Sequence, residues 1–401
     1  MALNVDNGSS GMTQASVRAR NLALVYHEVL TSNEEAVSRA DIATRLGMTR
    51  STVSRLIDDL LLGDLVEEGT AVGGSRGRPA VPLRAQPGSV FALGLEVNVE
   101  RMVAALVDLT GTVRACHHLD AAVDELPLDE AMSHLSSLAR QTLGAVPDGA
   151  RVAGALLAVP GLIDREGQQV LRAPNLGWEG AEPADLWDVD FDGTPLPLQI
   201  RNDIECSALT ILREAPGSSF IYVTGEVGIG AAVSLDGELL AGRHGWASEL
   251  GHICVDPDGG ACGCGARGCL ETVAGAHAFI RSAGQQNIDG VVAALEAGDR
   301  TAQAAVESMA VALGIALGAA LNLLDIGTVR MGGHLGRVGQ WLREPLQREL
   351  TTRVLWAPHS GIELELVDHA PLRASAGAGL AALQRVTSNP AAWIDPILNR
   401  R

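Results

Sequence analysis

The stretch ELGHICVDPDGGACGCGARGCLE at residues 249–271 places one histidine and three cysteines in a short, glycine-rich segment. Nine residues separate His252 from Cys262, and four separate Cys264 from Cys269. One imidazole and three thiolates suit a closed tetrahedral zinc site, and the glycines let the backbone wrap tightly around one ion. The spacing therefore predicts one structural zinc ion per chain. A glycine-rich loop with three reduced thiols and no ion is the alternative.

The other cysteines, Cys116, Cys206 and Cys254, are predicted to be small core residues. Cys254 is near enough in sequence to be an alternative ligand, but it lies in the apolar stretch Ile253-Cys254-Val255. An ion with four protein ligands has no open coordination position. The predicted ion therefore holds a loop in place rather than hydrolysing a substrate.

Carboxylates accompany the metal motif. Glu249 precedes His252 by three residues and Glu271 follows Cys269 by two, so a bound ion would fix both side chains. Carboxylates and amides form paired hydrogen bonds with neighbouring hydroxyl groups, which a sugar presents. These acids are therefore candidate sugar ligands, and a solvated surface is the alternative interpretation for each of them.

The two motifs Glu249-Leu-Gly-His252 and Cys262–Glu271 resemble the signature of the ROK family, which contains repressors, open reading frames and sugar kinases. The resemblance extends over about 90–386 and includes Val159-Pro160-Gly161, Ala173-Pro174-Asn175 and Arg201-Asn202-Asp203. It implies an α/β, two-lobed, actin-like fold, which is the RNase H-like fold of sugar kinases and Hsp70, with the sugar between the lobes.

The resemblance also implies a set of sugar contacts by matching position. They are Asn175, Asn202, Asp203, Glu249, His252 and Glu271. His252 would then bind zinc through one ring nitrogen and reach a sugar hydroxyl through the other. Asp203 matches the general base of the family's kinases.

The first loop of the predicted ROK domain departs from those kinases. They resemble Asp-x-Gly-Gly-Thr after the first strand, whereas this chain has Glu96-Val-Asn-Val-Glu100. Side chains replace the glycines that let phosphate approach the backbone, and Glu100 adds a negative charge there. The loop Gly225–Gly230 keeps its glycines but gains Glu226. We therefore expect no ATP binding and no catalytic residues.

Residues 1–86 show the pattern of a winged helix-turn-helix. Ser38 is predicted to cap the second helix of this unit, over Arg39–Leu46. Thr49 or Ser51 is predicted to open the third helix, which reaches about Leu62. Leu65–Glu68 and Ala80–Leu83 are predicted to pair as a hairpin. The unit resembles the DNA-binding domain of the repressor branch of the ROK family.

The predicted DNA contacts lie away from the apolar stripe of the third helix and at the hairpin tip. Hydroxyl groups reach phosphates, arginines read guanine edges, and tip arginines suit a minor groove or phosphate contact. These residues are Thr49, Arg50, Ser51, Thr52, Ser54, Arg55, Arg76 and Arg78. A solvated helix face and a flexible turn are the alternative.

Charge is distributed unevenly along the chain. The 30 basic residues, all arginine, and 48 acidic residues give a net charge of −18. Residues 1–88 carry −1 (nine basic, ten acidic) and residues 89–401 carry −17 (21 basic, 38 acidic), which argues against nucleic-acid binding by the larger part. Ala302–Leu324 is predicted to be a buried helix. We expect no membrane span, no signal peptide and a cytoplasmic location.

These observations predict a DNA-binding domain over 1–86, a sugar-sensing domain over 89–387 and an extended C-terminal tail over 388–401. The predicted function is a repressor, a homodimer or dimer of dimers, that a neutral sugar releases from a palindromic operator. An active ATP-dependent sugar kinase carrying a DNA-binding module is the alternative. A scaffold that binds a partner protein through the zinc loop is a third possibility.

Overall fold

The computed structural model describes residues 14–32, 37–70, 81–368, 370 and 372–398. Its α-helices are α1 (Gln14–Thr31), α2 (Arg39–Leu46), α3 (Arg50–Leu62), α4 (Leu128–Leu143), α5 (Asp203–Glu214), α6 (Glu271–Ala274), α7 (Ala276–Ser282), α8 (Ile288–Glu296), α9 (Arg300–Leu324), α10 (Gly333–Arg337), α11 (Gly339–Arg353), α12 (Ala357–Ser360), α13 (Arg373–Thr387) and α14 (Pro390–Leu398).

The strands are β1 (Val66–Glu68), β2 (Leu83–Ala85), β3 (Val90–Val97), β4 (Arg101–Asp108), β5 (Val113–Asp120), β6 (Arg151–Val159), β7 (Leu162–Ile163), β8 (Val170–Ala173), β9 (Trp178–Ala181), β10 (Asp190–Phe191), β11 (Thr194–Pro195), β12 (Leu198–Asn202), β13 (Phe220–Gly225), β14 (Ile229–Leu235), β15 (Glu238–Leu239), β16 (Thr328–Gly332) and β17 (Glu363–Leu366). The chain divides into two compact units. Unit 1 takes in Met1–Val159, Glu182–Arg213 and Ala374–Arg401, and unit 2 takes in Pro160–Ala181 and Glu214–Arg373.

Local hydrogen bonds define the helix-turn-helix of unit 1, as the sequence predicts. The Ser38 hydroxyl accepts from the Asp41 N–H at 3.3 Å, and the Asp41 carboxylate accepts from the Ser38 N–H at 3.0 Å. This capping box starts α2, and Gly47 ends it with φ 64°. Thr49 caps α3 by accepting from the Thr52 N–H at 3.2 Å.

The wing differs from its prediction. β1 pairs with β2 antiparallel, with Glu68 opposite Leu83, so the second strand is Leu83–Ala85 and not Ala80–Leu83. Pro82 has no N–H to donate, so the ladder of paired residues starts after it. The Leu83 N–H donates instead to the carbonyl of Val37 at 2.8 Å. The rest of the predicted hairpin tip, at 71–80, lies outside the described residues.

The two large sheets share one topology. In unit 1 the order is β12-β6-β3-β4-β5, and in unit 2 it is β15-β14-β13-β16-β17. In each, a central strand, β3 or β13, has an antiparallel hairpin on one side and two parallel strands on the other. The two units therefore contain the same five-stranded sheet arrangement.

Close backbone approach holds the helices of unit 1 on its sheet. A Cβ atom at Gly94 of β3 would collide with the carbonyl of Ser375 on α13. A Cβ atom at Gly377 would collide with the carbonyl of Cys206 on α5. These two glycines let α13 pack directly against both β3 and α5.

The long helix α9 is long and apolar enough, by length and composition alone, to cross a membrane. The sequence predicts a buried helix over Ala302–Leu324, and 61% of the apolar window of α9 is buried. A core helix of a soluble protein passes the same test, and α9 contributes Leu313, Leu317 and Leu321 to the buried core of unit 2. Gly314 lies against the Glu349 side chain of α11, so these two helices pack closely.

The C-terminal residues form a helix rather than the predicted extended tail. α14 places Ile394, which is fully buried, against Gly63 at the end of α3. Arg18 of α1 joins the two helices by ion pairs to Asp59 at 2.9 Å and to Asp395 at 3.1 Å. Pro390 suits the first turn of a helix, where no N–H partner is needed. Pro390 therefore starts this helix, whereas the sequence analysis predicts an extended chain here.

We expect Ile394→Ala to lower the stability of the chain by about 2–5 kcal/mol, because it empties a filled core position between α14 and α3. Ile397→Ala is the matched control: it removes the same atoms from the same helix, but at a half-buried position, and should cost clearly less. Urea unfolding of the full chain measures both. Equal losses would contradict a packed C-terminal helix.

Candidate metal centre, sugar ligands and DNA-binding helix

The four predicted metal ligands lie together in unit 2. The ligand atoms of His252, Cys262, Cys264 and Cys269 are all within 4.8 Å of one another. The Sγ atoms of Cys264 and Cys269 are 3.7 Å apart, and Cys262 Sγ is 3.8 Å from His252 Nδ1. A tetrahedral site with metal–sulfur bonds of about 2.3 Å has edges of about 3.8 Å. The cluster therefore fits a tetrahedral ion.

The loop between the ligands folds by its own backbone hydrogen bonds. The Cys262 N–H donates to Ala266 at 2.9 Å, and the Val255 N–H donates to Gly268 at 2.7 Å. Gly268 has φ 67°, and a Cβ atom there would collide with the Asp256 carbonyl. The glycine at 268 is therefore required for the loop to close around the ligands.

Burial and neighbouring groups shift the pKa values of the three clustered thiols. Burial, followed by its thiol neighbours, raises the pKa of Cys269 to about 12. Burial also raises the pKa of Cys262, whereas the Ala266 N–H lowers the pKa of Cys264. A bound cation would offset the repulsion between neighbouring thiolates, so the arrangement could hold a metal ion.

The prediction that Cys254 is a core residue is wrong, because this residue is exposed. It lies directly opposite Cys269 in an isolated antiparallel bridge, and it is not one of the four clustered ligands. Cys206 is buried as predicted, and Cys116 is half-buried on β5. The apolar neighbours of Cys254 gave a misleading signal, because in an extended segment neighbouring side chains point to opposite faces.

Two predicted sugar ligands, Glu249 and Glu271, lie beside the four candidate metal ligands. Glu249 Oε2 is 3.9 Å from His252 Nε2, while the other ring nitrogen of His252 faces Cys262. Burial raises the pKa of Glu249, His252 opposes that rise, and Glu271 adds to it. Glu271 Oε2 accepts from the Ile229 N–H at 3.2 Å, and its Oε1 lies 3.8 Å from Cys262 Sγ.

A cavity of about 380 Å³ in unit 2 contains two of the predicted sugar ligands, Asn175 and Glu271. His277 and Arg281 of α7 line it as well, and sequence analysis did not identify either of them. Their spacing of four residues on a helix is the signal that they share one face. The cavity falls within the usual size range of small-molecule sites, about 300–1,000 Å³.

Asn202 and Asp203 belong to unit 1. The Asn202 side-chain oxygen accepts from the N–H groups of Ile204 at 2.9 Å and Glu205 at 3.2 Å, so it caps α5. Asp203 Oδ1 accepts from the Ile204 N–H at 3.0 Å. These bonds hold both side chains at the start of α5, and a sugar role for either residue stays a prediction.

The first loop of the ROK domain contains a buried acid. Glu96, only 4% exposed, accepts from the Ser375 N–H at 3.2 Å and lies 3.4 Å from the Arg101 guanidinium. It therefore ties the end of β3 to α13 within unit 1. Glu100 is exposed in the turn that follows.

The second loop keeps its glycines for packing reasons. A Cβ atom at Gly225 would collide with the ring of His334, and one at Gly228 would collide with the carboxylate of Glu271. His334 is buried, its Nε2 lies 2.9 Å from the Ala274 carbonyl, and burial lowers its pKa. Protein side chains explain these glycines without a nucleotide.

The predicted DNA-binding face of α3 is available to solvent. Thr49, Arg50, Ser51 and Arg55 are exposed, and Thr52 and Ser54 are half-buried. Within the described part of the chain neither Arg50 nor Arg55 forms an ion pair, whereas Arg39 of α2 pairs with Asp58 at 2.7 Å and with Glu68 at 3.1 Å. Arg76 and Arg78 lie outside the described residues.

Comparisons with known proteins agree with this architecture. Residues 92–385 match the ROK family, and residues 28–69 match the IclR helix-turn-helix domain. A xylose repressor of Caldicellulosiruptor bescii is 25% identical over 370 residues, covering 86% of this chain and 91% of the relative. A glucokinase of Halalkalibacterium halodurans is 29% identical over 233 residues, covering 52% of this chain and 70% of the relative.

A solved structure described as a ROK family transcriptional regulator, homolog of the E. coli MLC protein, superposes with a TM-score of 0.79. It shares 24% identity and covers 94% of this chain and 99% of its own. The chain belongs to the ROK family. Its fold is the actin-like ROK fold preceded by a helix-turn-helix, as the sequence predicts.

We expect the purified chain to bind one metal ion, and Cys264→Ser to lose it, because three ligands bind far more weakly than four. Cys116→Ser, at a half-buried thiol outside the cluster, should keep the full metal content. Elemental analysis of the folded variants measures the difference. Parent protein that is folded and free of metal would refute the site.

Proposed function

We propose that this chain is a sugar-responsive, DNA-binding transcriptional repressor. The observation that carries the proposal is that one chain combines an exposed arginine face on α3 with carboxylates beside four residues that could hold a metal ion. Its similarity to a xylose repressor and its helix-turn-helix match support the same function. The repressor acts in the cytoplasm.

The two proposed activities belong to different parts of the chain. Residues 1–86 bind DNA, and residues 89–387 sense the sugar. The protein is a homodimer or a dimer of dimers, because two recognition helices are needed for the two halves of a palindromic operator. The strongly acidic larger part leaves DNA contact to the small, nearly neutral domain.

Zinc is the proposed ion. Three thiolates and one imidazole in a tetrahedron match its preferred ligands and geometry. All four positions are protein ligands, so the ion contributes loop stability and no open site for chemistry. Its loop positions Glu249, beside His252, and Glu271, beside Cys262.

The proposed effector is a small neutral sugar. In unit 2 its hydroxyl groups are bound by Asn175, Glu249, His252 and Glu271. The ROK resemblance adds Asn202 and Asp203, which belong to unit 1, as predicted ligands. Carboxylates accept hydroxyl hydrogen bonds, and the amide both donates and accepts. Nε2 of His252 faces Glu249 rather than the cluster, which leaves it for the sugar.

The kinase alternative is less well supported. Asp203 matches the kinase base, and a glucokinase is among the relatives. However, the carboxylate of Glu96 is buried and already bound to the Ser375 N–H and to Arg101. Glu100 is exposed at a position where a phosphate-binding loop would need glycine. We therefore propose that ATP is not a cofactor and that the chain has no catalytic residues.

Sugar binding would weaken operator binding. A ligand shifts a two-state protein only through its different affinities for the two states. A typical coupling of about 1–3 kcal/mol corresponds to roughly 5- to 150-fold weaker operator binding. We propose release from the operator as the direction of this effect.

Arg50→Ala and Arg55→Ala should each weaken operator binding. An arginine that reads a base edge contributes about 1–3 kcal/mol, and its loss relaxes specificity at that base. Arg348→Ala, at an exposed arginine of α11 in unit 2, is the matched control and should bind as the parent does. Binding titrations use a fragment selected from random DNA by the parent. Parent-like binding by both α3 variants would mean that another element reads the DNA.

Glu249→Ala and Glu271→Ala should bind operator as tightly as the parent but ignore the sugar, because each loses a hydroxyl acceptor and neither is a metal ligand. Glu296→Ala, at an exposed acid of α8, should respond normally. Operator titrations with and without each sugar of an aldose panel test the proposed function. Parent-like sugar response in both variants would reject this sensor site, and ATP consumption by the parent with sugar would identify a kinase.

A further inference from the structure

The exposed thiol of Cys254 lies across a backbone bridge from the metal ligand Cys269. Two hydrogen bonds flank the pair: the Val255 N–H donates to Gly268 at 2.7 Å, and the Leu270 N–H donates to Ile253 at 2.9 Å. Cys254 and Cys269 donate to neither bond. They therefore form a non-hydrogen-bonded antiparallel pair, in which the two side chains leave the same face.

This pairing brings the two cysteines within disulfide range. Opposed residues of a non-hydrogen-bonded pair have Cα atoms about 4.5 Å apart. Disulfides form across Cα separations of about 4.4–6.8 Å, so side-chain rotation alone can bring the two sulfurs together.

The two thiols also differ in the way that a reactive and a resolving cysteine differ. Cys254 is exposed to solvent, whereas Cys269 has no exposed surface. A small oxidant in water therefore reaches Cys254 first, and Cys269 is the sulfur positioned to react next. Cys269 already has Cys264 on its other side at 3.7 Å.

We propose that Cys254 is an oxidation site, and that its disulfide with Cys269 releases the metal ion from the centre. The Cys254 thiolate attacks hydrogen peroxide, which breaks the O–O bond and gives a sulfenic acid and hydroxide. The Cys269 thiolate then attacks the sulfenic sulfur and displaces a second hydroxide. The two sulfurs lose two electrons, which the peroxide gains. Cys269 enters as a metal-bound thiolate without a proton, so its bond to the ion breaks, and the two hydroxides become water with the proton that Cys254 released and one from the solvent.

The disulfide removes one of the four metal ligands. A sulfur in a disulfide is no longer a thiolate, so the ion keeps three ligands and its affinity falls. The loop that it closed includes the segment before Glu271, which is two residues beyond Cys269. Oxidation therefore loosens the sugar-binding acid that the ion positions, and the sugar response becomes dependent on redox state.

The test treats the full-length, metal-loaded chain with hydrogen peroxide. A chromophoric chelator follows metal release, and non-reducing peptide mapping identifies the disulfide. We expect a 254–269 link to appear at the rate of metal release, and a thiol reductant with added zinc to restore the original metal content. Cys254→Ser keeps all four ligands, so it should start with full metal and release it several-fold more slowly, without the link.

Cys116→Ser, which removes a half-buried thiol of unit 1, is the matched control and should release metal as fast as the parent. Release from Cys254→Ser at the parent rate would overturn the proposal, as would a mapped link between Cys264 and Cys269 instead. The inference rests on the proposed metal centre, and the mapping separates the two. A chain that holds no metal but still forms the 254–269 link refutes the centre and leaves the oxidation site in place.

Discussion

The crowding of three thiols and an imidazole within 4.8 Å is the constraint on which the candidate sensor depends. A cation bound there would offset the repulsion between neighbouring thiolates in this partly buried loop. The same loop places Glu249 beside His252 and Glu271 beside Cys262. Loop closure and the position of both carboxylates are therefore a single requirement, and chemistry that removes a ligand would disturb both.

The two repeated sheets use the same strand order for different purposes. In unit 1, Glu96 at the end of the central strand accepts a hydrogen bond from the Ser375 N–H of α13, so this buried acid ties the strand to the helix. In unit 2, the corresponding turn keeps glycines because His334 and Glu271 occupy the adjacent space. Local packing therefore accounts for the buried acid in unit 1 and for the glycines in unit 2.

The helix-turn-helix is joined to the rest of unit 1 by contacts that are distant in sequence. Arg18 connects α3 with α14 through Asp59 and Asp395. Arg151 lies at the start of β6, and its guanidinium is 4.8 Å from the centre of the Trp393 ring on α14. The fully buried Ile394 adds apolar burial to these half-buried ion pairs. Arg50 and Arg55 of α3 face solvent instead.

The sequence by itself determined the features that depend on neighbours in the chain. The Ser38 and Thr49 caps, the metal-ligand spacing and the glycine at 268 involve residues close in sequence, so their hydrogen bonds and ligand reach follow from spacing. Only the tertiary structure decided α14, the exposure of Cys254 and the capping role of Asn202. Each depends on which surface a segment meets, and burial against a distant partner outweighs local propensity.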